Sequence, residues 1–95
     1  MRSRFAAFAR GDAGYLRASW HPSTVPADLS VGDGTVWRRL QIVDAVRGGV
    51  DDADGVVEFR ASFRDAVGGG GVLHERSRFV REAGRWLYVD GDILD

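Results

Sequence analysis

The sequence predicts an α+β fold in which a bent N-terminal helical segment packs on a curved four-stranded antiparallel sheet. Three observations predict it. Apolar residues in the first 20 positions recur at helical spacing, the pattern from position 36 onward changes to a period of two, and glycine-rich turns separate the later strand patterns. Because a helix with one apolar stripe needs a partner surface, the simplest arrangement is two layers, helix on sheet.

Residues 1–20 are expected to be helical and to break at Gly11–Asp12. Their apolar side chains fall on one broad stripe: Phe5, Phe8, Tyr15, Leu16 and Trp20. Asp12 is a suitable N-cap for a second segment from Ala13. Pro22 should end the helix, because proline lacks an amide hydrogen and disfavours the α conformation in the residue before it. The arginines at positions 2, 4, 10 and 17 are predicted to form a solvated face.

The middle of the chain is predicted to be a loop followed by two strands. Residues 21–35 contain both prolines together with glycine, serine and aspartate, as connecting loops do. In the strand 36–47 the apolar positions shift after Ile42, which suggests a bulge or strong twist. After a polar, glycine-rich loop at 47–55, residues 56–65 alternate, with these side chains inward: Val57, Phe59, Ala61 and Phe63. The four glycines at 68–71 form the next turn.

Residues 72–92 are predicted to form a β-hairpin closed by a two-residue turn at Ala83–Gly84, where glycine supplies the positive φ. Glu82 then pairs with Arg85. An uninterrupted register has three further pairs on one face: Phe79 with Tyr88, Ser77 with Asp90, and Glu75 with Asp92. The opposite face carries Arg78, Val80, Leu87 and Val89. Near the turn, Arg81 is expected to stack on Trp86 in a cation–π contact.

Composition excludes several classes of function. Ninety-five residues are enough for one domain spanning 1–95, and a net charge of −1 gives no reason to expect nucleic acid or an anionic membrane as partner. With no cysteine there is no disulfide, thiolate metal site or cysteine nucleophile. No apolar run reaches membrane-spanning length, and the one near the N-terminus is too short for a signal peptide. A cytoplasmic location is the default expectation.

Two long motifs carry a family resemblance. The segments RSRFAAFARGDAGYLRASWHPST (2–24) and LHERSRFVREAGRWLYVDGD (73–92) resemble the YchJ-like family of bacterial proteins, and Trp37 and the strand GVVEFRASF (55–63) lie between them in the same order. Members often carry a cysteine-rich SEC-C zinc-binding segment beside this domain. Because the chain has no cysteine, a zinc-dependent role is not carried over. The family has no established reaction, so no catalytic residues are carried over either.

The resemblance implies the cone-shaped fold of the nuclear transport factor 2-like superfamily, also described as cystatin-like, with a pocket at the open end of the cone. Ketosteroid-isomerase-like and SnoaL-like enzymes, dehydratases, polyketide cyclases and non-enzymatic domains all use this fold, so the fold does not choose among them. The predicted catalytic candidates are Glu75, Asp90 and Tyr88. The predicted pocket-lining residues are Trp20, His21, Trp37, Phe59, Glu75, Ser77, Phe79, Trp86, Tyr88 and Asp90.

Two functions stay open, and the sequence leaves undecided whether the domain is an enzyme. The first is a non-catalytic binding or accessory module that takes a small molecule or an unknown protein partner. The second is a small lyase or isomerase in which Glu75 or Asp90 acts as a base and Tyr88 faces a developing oxyanion. The competing structural explanation is that both carboxylates pair with arginines such as Arg76 or Arg78, as buried charges normally do.

The remaining expectations concern histidines, metals and assembly. His21 is predicted at a helix end near the cavity mouth, and His74 at a strand edge or interface, on the face opposite Glu75. Two isolated histidines without cysteine do not make a zinc site, and no cofactor is predicted. The sheet face with Val80, Leu87 and Val89 has no helix left to cover it, so we expect it to form a twofold homodimer interface.

Overall fold

The computed structural model describes residues 1–29 and 34–94. Two helices precede four strands: α1 (Arg2–Arg10), α2 (Ala13–Ala18), β1 (Val36–Arg47), β2 (Asp54–Arg64), β3 (Gly70–Glu82) and β4 (Arg85–Ile93). Each strand pairs antiparallel with the next, giving the order β1-β2-β3-β4. The predicted fold, a helical segment on a four-stranded antiparallel sheet, is confirmed. In the described residues no helix is long and apolar enough to span a membrane.

The break between the helices follows from two neighbouring residues. Gly11 ends α1 in the left-handed conformation with φ of 72°, a geometry that glycine adopts without steric cost. Asp12 then caps α2 by accepting a hydrogen bond from the amide of Tyr15 at 3.0 Å. Both features agree with the prediction. The helical structure ends earlier than residue 20, at Ala18, because Trp20 leaves the helix and forms a parallel bridge with Tyr88 of β4.

Two side chains of the helical segment do not lie where the stripe placed them. Tyr15 is 38% exposed, so it is not part of the buried stripe, whereas Leu16 is fully buried. Arg4, predicted on the solvated face, is only 4% exposed. The other three arginines of that set, at positions 2, 10 and 17, are exposed as predicted.

The first hairpin agrees with the alternation in the sequence. β1 shows register shifts against β2 between Trp37 and Arg39 and between Ile42 and Asp44, and the second is the predicted bulge. On β2, Phe59 and Ala61 are buried, and Val57 and Phe63 are half-buried. The predicted loop 21–35 carries no helix or strand in its described part, and residues 30–33 of it lie outside the described residues.

The second hairpin departs from the predicted register after four pairs. The turn residues Ala83 and Gly84 have φ of 52° and 77°, as a two-residue hairpin turn requires. The predicted pairs that form are Glu82–Arg85, Arg81–Trp86, Val80–Leu87 and Phe79–Tyr88. The guanidinium of Arg81 lies 5.6 Å from the Trp86 ring centroid.

Beyond these pairs a bulge at Val89 shifts the register, so that Arg78 pairs with Asp90. The predicted pairs Ser77–Asp90 and Glu75–Asp92 are therefore wrong. Ser77 lies opposite Gly91, and Glu75 lies opposite Ile93. Because side chains alternate between faces, the extra residue moves Asp90 to the face of Arg78 and away from the face of Glu75.

The helices cover one face of the sheet, here called the inner face. Trp37 joins the two layers, since its ring centroid lies 6.3 Å from that of Phe5, 6.1 Å from Phe8 and 5.4 Å from Phe63. Buried Phe59 and Ala61 form the floor between β1 and β3. These packed aromatic and aliphatic groups supply most of the hydrophobic stabilisation, and they leave a cavity beside α1.

Candidate functional site

A cavity of about 240 Å³ lies between α1 and the inner face of the sheet. Most of its wall is apolar and comes from Phe5 and Phe8 of the helix and Trp37, Phe59 and Leu73 of the sheet. Its polar groups come from Arg4, Trp20, Glu75, Ser77 and Tyr88. A mainly apolar hollow with a few converging polar groups is the usual form of a small-molecule site.

Glu75 projects from β3 into this cavity, and no arginine forms a salt bridge with it among the described residues. Its Oε2 accepts a hydrogen bond of 2.5 Å from the hydroxyl of Ser77, which is fully buried, and one of 3.1 Å from the hydroxyl of Tyr88. Within residues 1–29 and 34–94, no salt bridge reaches Glu75, and Oε1 accepts no hydrogen bond. One carboxylate oxygen is thus held in place while the other stays available.

Gly91 on β4 makes room for this carboxylate. A Cβ at position 91 would collide with Oε2 of Glu75 and would lie 2.7 Å from its Cδ and 2.9 Å from the carbonyl oxygen of Arg76. Contacts that short do not occur for real side chains, so any residue other than glycine would displace the carboxylate. The position of Glu75 therefore depends on a missing side chain on the neighbouring strand.

Tyr88 is the contact point between the carboxylate and the helical segment. Its ring meets that of Trp20 edge-on at 5.1 Å and that of Phe79 at 5.7 Å. Backbone hydrogen bonds hold this arrangement, since the Tyr88 amide donates to Ser19 O at 2.8 Å and His21 N donates to Tyr88 O at 2.7 Å. Burial, and then the nearby charge of Glu75, raises the pKa of the Tyr88 phenol. Tyr88 is therefore a neutral donor across the physiological range.

Arg4 faces Tyr88 and Trp20 from the helix. The carbon of its guanidinium lies 4.6 Å from the Tyr88 ring centroid and 4.8 Å from that of Trp20, within the range of cation–π attraction. Burial lowers the pKa of Arg4 more than the neighbouring tyrosines and Glu75 raise it. The Trp20 indole N–H is also buried, and it has no hydrogen-bond partner in the described part of the chain.

The structure brings six of the predicted pocket-lining residues to this one cavity: Trp20, Trp37, Phe59, Glu75, Ser77 and Tyr88. Phe79 and Trp86, also predicted, line a more open cavity of about 620 Å³ nearer the hairpin turns. Arg4 borders both cavities. Trp86 lines the larger cavity from beside the turn, where it also stacks on Arg81.

Two predicted site residues lie elsewhere. Asp90 is on the outer face, where it accepts a 2.5 Å hydrogen bond from Nε of Arg78. Asp92 accepts another from Arg78 at 2.8 Å, and these two bonds raise the arginine pKa. His21 does not line either cavity. Its Nε2 lies 2.7 Å from Oε2 of Glu82 and its Nδ1 2.7 Å from the Ser23 hydroxyl, beside the hairpin turn.

His74 is not at a strand edge as predicted, since it lies buried on the inner strand β3. It does point to the face opposite Glu75, where its Nε2 is 2.7 Å from Oε2 of Glu58. Arg76 donates to the other oxygen of Glu58 at 2.8 Å, and these two hydrogen bonds lower the Glu58 pKa. The described residues contain no cluster of three His, Asp or Glu placed to hold a metal ion.

Sequence reasoning missed Arg4 and Gly91 as determinants of the site. A signal for Arg4 existed, because it precedes Ala7 by three positions and Phe8 by four, and such residues share one face of a helix. Gly91 gave no comparable signal, since its role depends on the register of β3 against β4.

Comparison with known proteins agrees with this architecture. Residues 1–91 match the family model described as YchJ, middle NTF2-like domain. A UPF0225 protein of Streptomyces coelicolor is 50% identical over 95 residues, covering all of this chain and 73% of the relative. A UPF0225 protein of Streptomyces avermitilis is 44% identical, and the chain spans 64% of its length.

A solved structure supports the same assignment. The solution structure of RPA3114, a SEC-C motif containing protein from Rhodopseudomonas palustris, superposes with a TM-score of 0.85 at 31% identity, covering all of this chain and 76% of that protein. The fold, the family model and the relatives all point the same way. The chain belongs to the YchJ-like family, and it matches the NTF2-like domain of that family.

Proposed function

We propose that residues 1–95 form one YchJ-like domain that binds a small, largely apolar molecule in the 240 Å³ cavity. The observation that carries the proposal is the state of Glu75. It faces an apolar cavity with one free oxygen and no arginine within salt-bridge distance among the described residues. A carboxylate that served only to balance charge would have a cationic partner, as Asp90 has in Arg78.

The size of the cavity sets the size of the ligand. An engineered cavity of about 150 Å³ holds benzene, so 240 Å³ accommodates a single substituted ring or a branched aliphatic group. Aromatic walls from Phe5, Phe8 and Trp37 suit such a group, because edge-to-face contacts add to the burial of apolar surface. A free acceptor at Oε1 of Glu75 would then favour a hydrogen-bond donor as a substituent on the ring or branch of such a ligand.

The binding domain would act as an accessory module within a longer protein. The Streptomyces relatives are longer than this chain, and the protein of the superposed structure is described as containing a SEC-C motif. In this proposal the cavity recognises the ligand. Neighbouring segments of the longer protein, or an unidentified protein partner, then interact with the ligand-bound domain. We also propose a cytoplasmic location, which fractionation of cells producing a tagged full-length protein would test.

A second candidate is proton transfer of the ketosteroid-isomerase-like type, and the free Oε1 of Glu75 favours it. In this mechanism Oε1 takes a proton from a carbon next to a ligand carbonyl, while Ser77 and Tyr88 hold Oε2. The developing enolate oxygen then needs a donor. Trp20 lines the cavity, and its buried indole N–H has no partner among the described residues, so we propose it as this donor.

Ligand-observed NMR with a set of single-ring compounds tests the binding proposal. We expect saturation transfer to the wild-type protein and its loss in Ala61→Leu, which fills the cavity from the floor. Arg60→Leu introduces the same leucine side chain on the exposed, opposite face of the strand. It should leave binding intact. If Ala61→Leu still binds the compounds as the wild type does, or if the wild type binds none of them, the cavity is not the binding site.

Isotope exchange separates the two candidate functions. For a bound cyclic ketone in D₂O, proton transfer predicts replacement of the hydrogens next to the carbonyl by deuterium. Glu75→Gln keeps the shape of the side chain but removes the base, so it should abolish exchange while retaining the ligand. Binding without exchange in the wild type identifies a binding module and excludes the isomerase-like mechanism for that ligand.

A further inference from the structure

Arg4 is a buried guanidinium whose hydrogen bonding is incomplete. Only 4% of the residue is exposed. Its Nη1 donates to Ser19 Oγ at 2.7 Å and to the carbonyl oxygen of Leu16 at 3.2 Å. A guanidinium has five N–H donors, and in residues 1–29 and 34–94 neither Nε nor Nη2 has an acceptor.

The open N–H groups belong to a side chain that lines two cavities. Arg4 borders both hollows of the inner face, and the rest of its surface is covered by protein. The rings of Tyr88 and Trp20 flank the guanidinium, at 4.6 and 4.8 Å. Aromatic faces attract a cation, but they do not accept the in-plane N–H bonds that a guanidinium offers.

No carboxylate neutralises Arg4 within the described part of the chain. Glu75 is near enough to favour its charged form, yet the two make no salt bridge. A buried charge without a partner is costly to a folded protein. The exposed arginines at positions 10, 47 and 78 do have carboxylate partners, so Arg4 differs from them in this respect.

We infer that the ligand of the cavity is a small aromatic or branched carboxylic acid whose carboxylate binds the open N–H edge of Arg4. This inference rests on the proposed binding function. The planar guanidinium fork matches a carboxylate through two parallel hydrogen bonds. The apolar body of the acid lies against Phe5, Phe8 and Trp37. A dianion such as a phosphate ester fits less well, because Glu75 places a negative charge on the same cavity wall.

Three ligands of one shape test the inference on the wild-type protein: phenylacetate, phenylacetamide and phenethylamine. We expect the acid to bind at least about tenfold more tightly than the neutral amide, because charge-assisted hydrogen bonds are about twice as strong as neutral ones. Titration followed by NMR should also shift the Arg4 Nε–H resonance, assigned by its loss in Arg4→Lys. The comparison of the three affinities uses the wild-type chain, so it does not depend on the stability of a variant.

The outcomes separate the inference from the proposed function. Equal affinity for the acid and the amide overturns the role of Arg4 and leaves the binding function standing. Tightest binding of the amine also overturns it and assigns the polar selectivity to Glu75. If none of the three binds at millimolar concentration, the proposed function fails together with the inference.

Variants supply a second, independent readout. Arg4→Lys keeps the positive charge but loses the planar guanidinium. It should therefore weaken the binding of phenylacetate more than the binding of phenylacetamide. Arg2→Lys on the same helix is the matched control, because Arg2 is exposed and borders neither cavity. A purely structural role for Arg4 predicts equal weakening of both ligands in Arg4→Lys, and that result would contradict the inference.

Discussion

Glu75 and Gly91 share one space on the sheet: the carboxylate of Glu75 occupies the volume that a side chain at position 91 would fill. Gly91 lies opposite Ser77, which donates to the same carboxylate. The site is therefore assembled across two strands. β3 supplies the carboxylate and the Ser77 donor, and β4 supplies the Tyr88 donor and the space at Gly91.

Replacing Gly91 by alanine should displace the Glu75 carboxylate. The new methyl group would collide with Oε2 and break the hydrogen bonds from Ser77 and Tyr88. We expect a loss of roughly 1–3 kcal/mol in the free energy of unfolding, as for other buried polar groups left without partners. Urea denaturation measures it.

Gly14→Ala is the matched control for this substitution. A Cβ at position 14, inside α2, would lie 3.6 Å from Oδ1 of Asp12, an ordinary contact distance. Alanine in a helix should stabilise by roughly 0.5–1 kcal/mol. An equal change in the free energy of unfolding for the two variants would mean that the position of Glu75 does not depend on the absence of a side chain at position 91.

The raised pKa of Tyr88 predicts a loss of stability in alkali. As pH rises above about 10, tyrosine ionises in the unfolded chain, whereas burial and the charge of Glu75 keep Tyr88 protonated in the folded chain. Its contribution to stability is complete below pH 10 and is lost as pH rises towards the raised pKa. Denaturation between pH 9 and about 11 should show a shallower decline for Tyr88→Phe than for the wild type. An identical decline would contradict the assigned cause.

The depressed pKa of Glu58 predicts acid sensitivity. Hydrogen bonds from His74 and Arg76 hold this pKa below its ordinary value of 4.5. Glu58 therefore contributes stability at pH above 4.5 that is lost as pH falls through the depressed pKa. We expect Glu58→Gln to be less stable than the wild type at neutral pH and to show a smaller loss on acidification. Thermal melts at pH 7 and at about pH 3 measure both quantities.

The twofold dimer through Val80, Leu87 and Val89 stays a prediction. Within one chain Leu87 is already buried, and Val80 and Val89 are half-buried, so the apolar surface left for a partner is modest. Light scattering at micromolar concentration should give the mass of a dimer, and Val80→Lys should reduce it to that of a monomer. A monomeric wild type would show that this surface is not an interface.

The sequence predicted most of the fold because its signals are local. The alternation of β2, the cap at Asp12 and the turn at Ala83–Gly84 each depend on a few neighbouring residues. Glu75, Ser77 and Tyr88 were placed correctly on one face because they lie on the turn side of the bulge or on β3 itself. The position of the turn was enough to predict the register of β3 against β4 up to the bulge.

The errors came from features that only the assembled chain determines. Asp90 was assigned to the cavity because nothing in the local pattern marks Val89 as the extra residue of a bulge. Arg4 was assigned to solvent because arginine is usually exposed. Its burial depends on acceptors that α2 provides at Leu16 and Ser19.

The unpaired residue at Val89 has a consequence for the chemistry of the cavity. Beyond that point, every side chain of β4 is exchanged between the two faces. If the same sequence paired without the bulge, the acidic groups of Asp90 and Asp92 would lie on the inner face with Glu75, and Arg78 would lose both counterions. Loss of the bulge, with Val89 kept in the strand, would thus convert a mainly apolar cavity with one acidic side chain into a strongly anionic one. The bulge at Val89 therefore keeps two carboxylates out of the cavity.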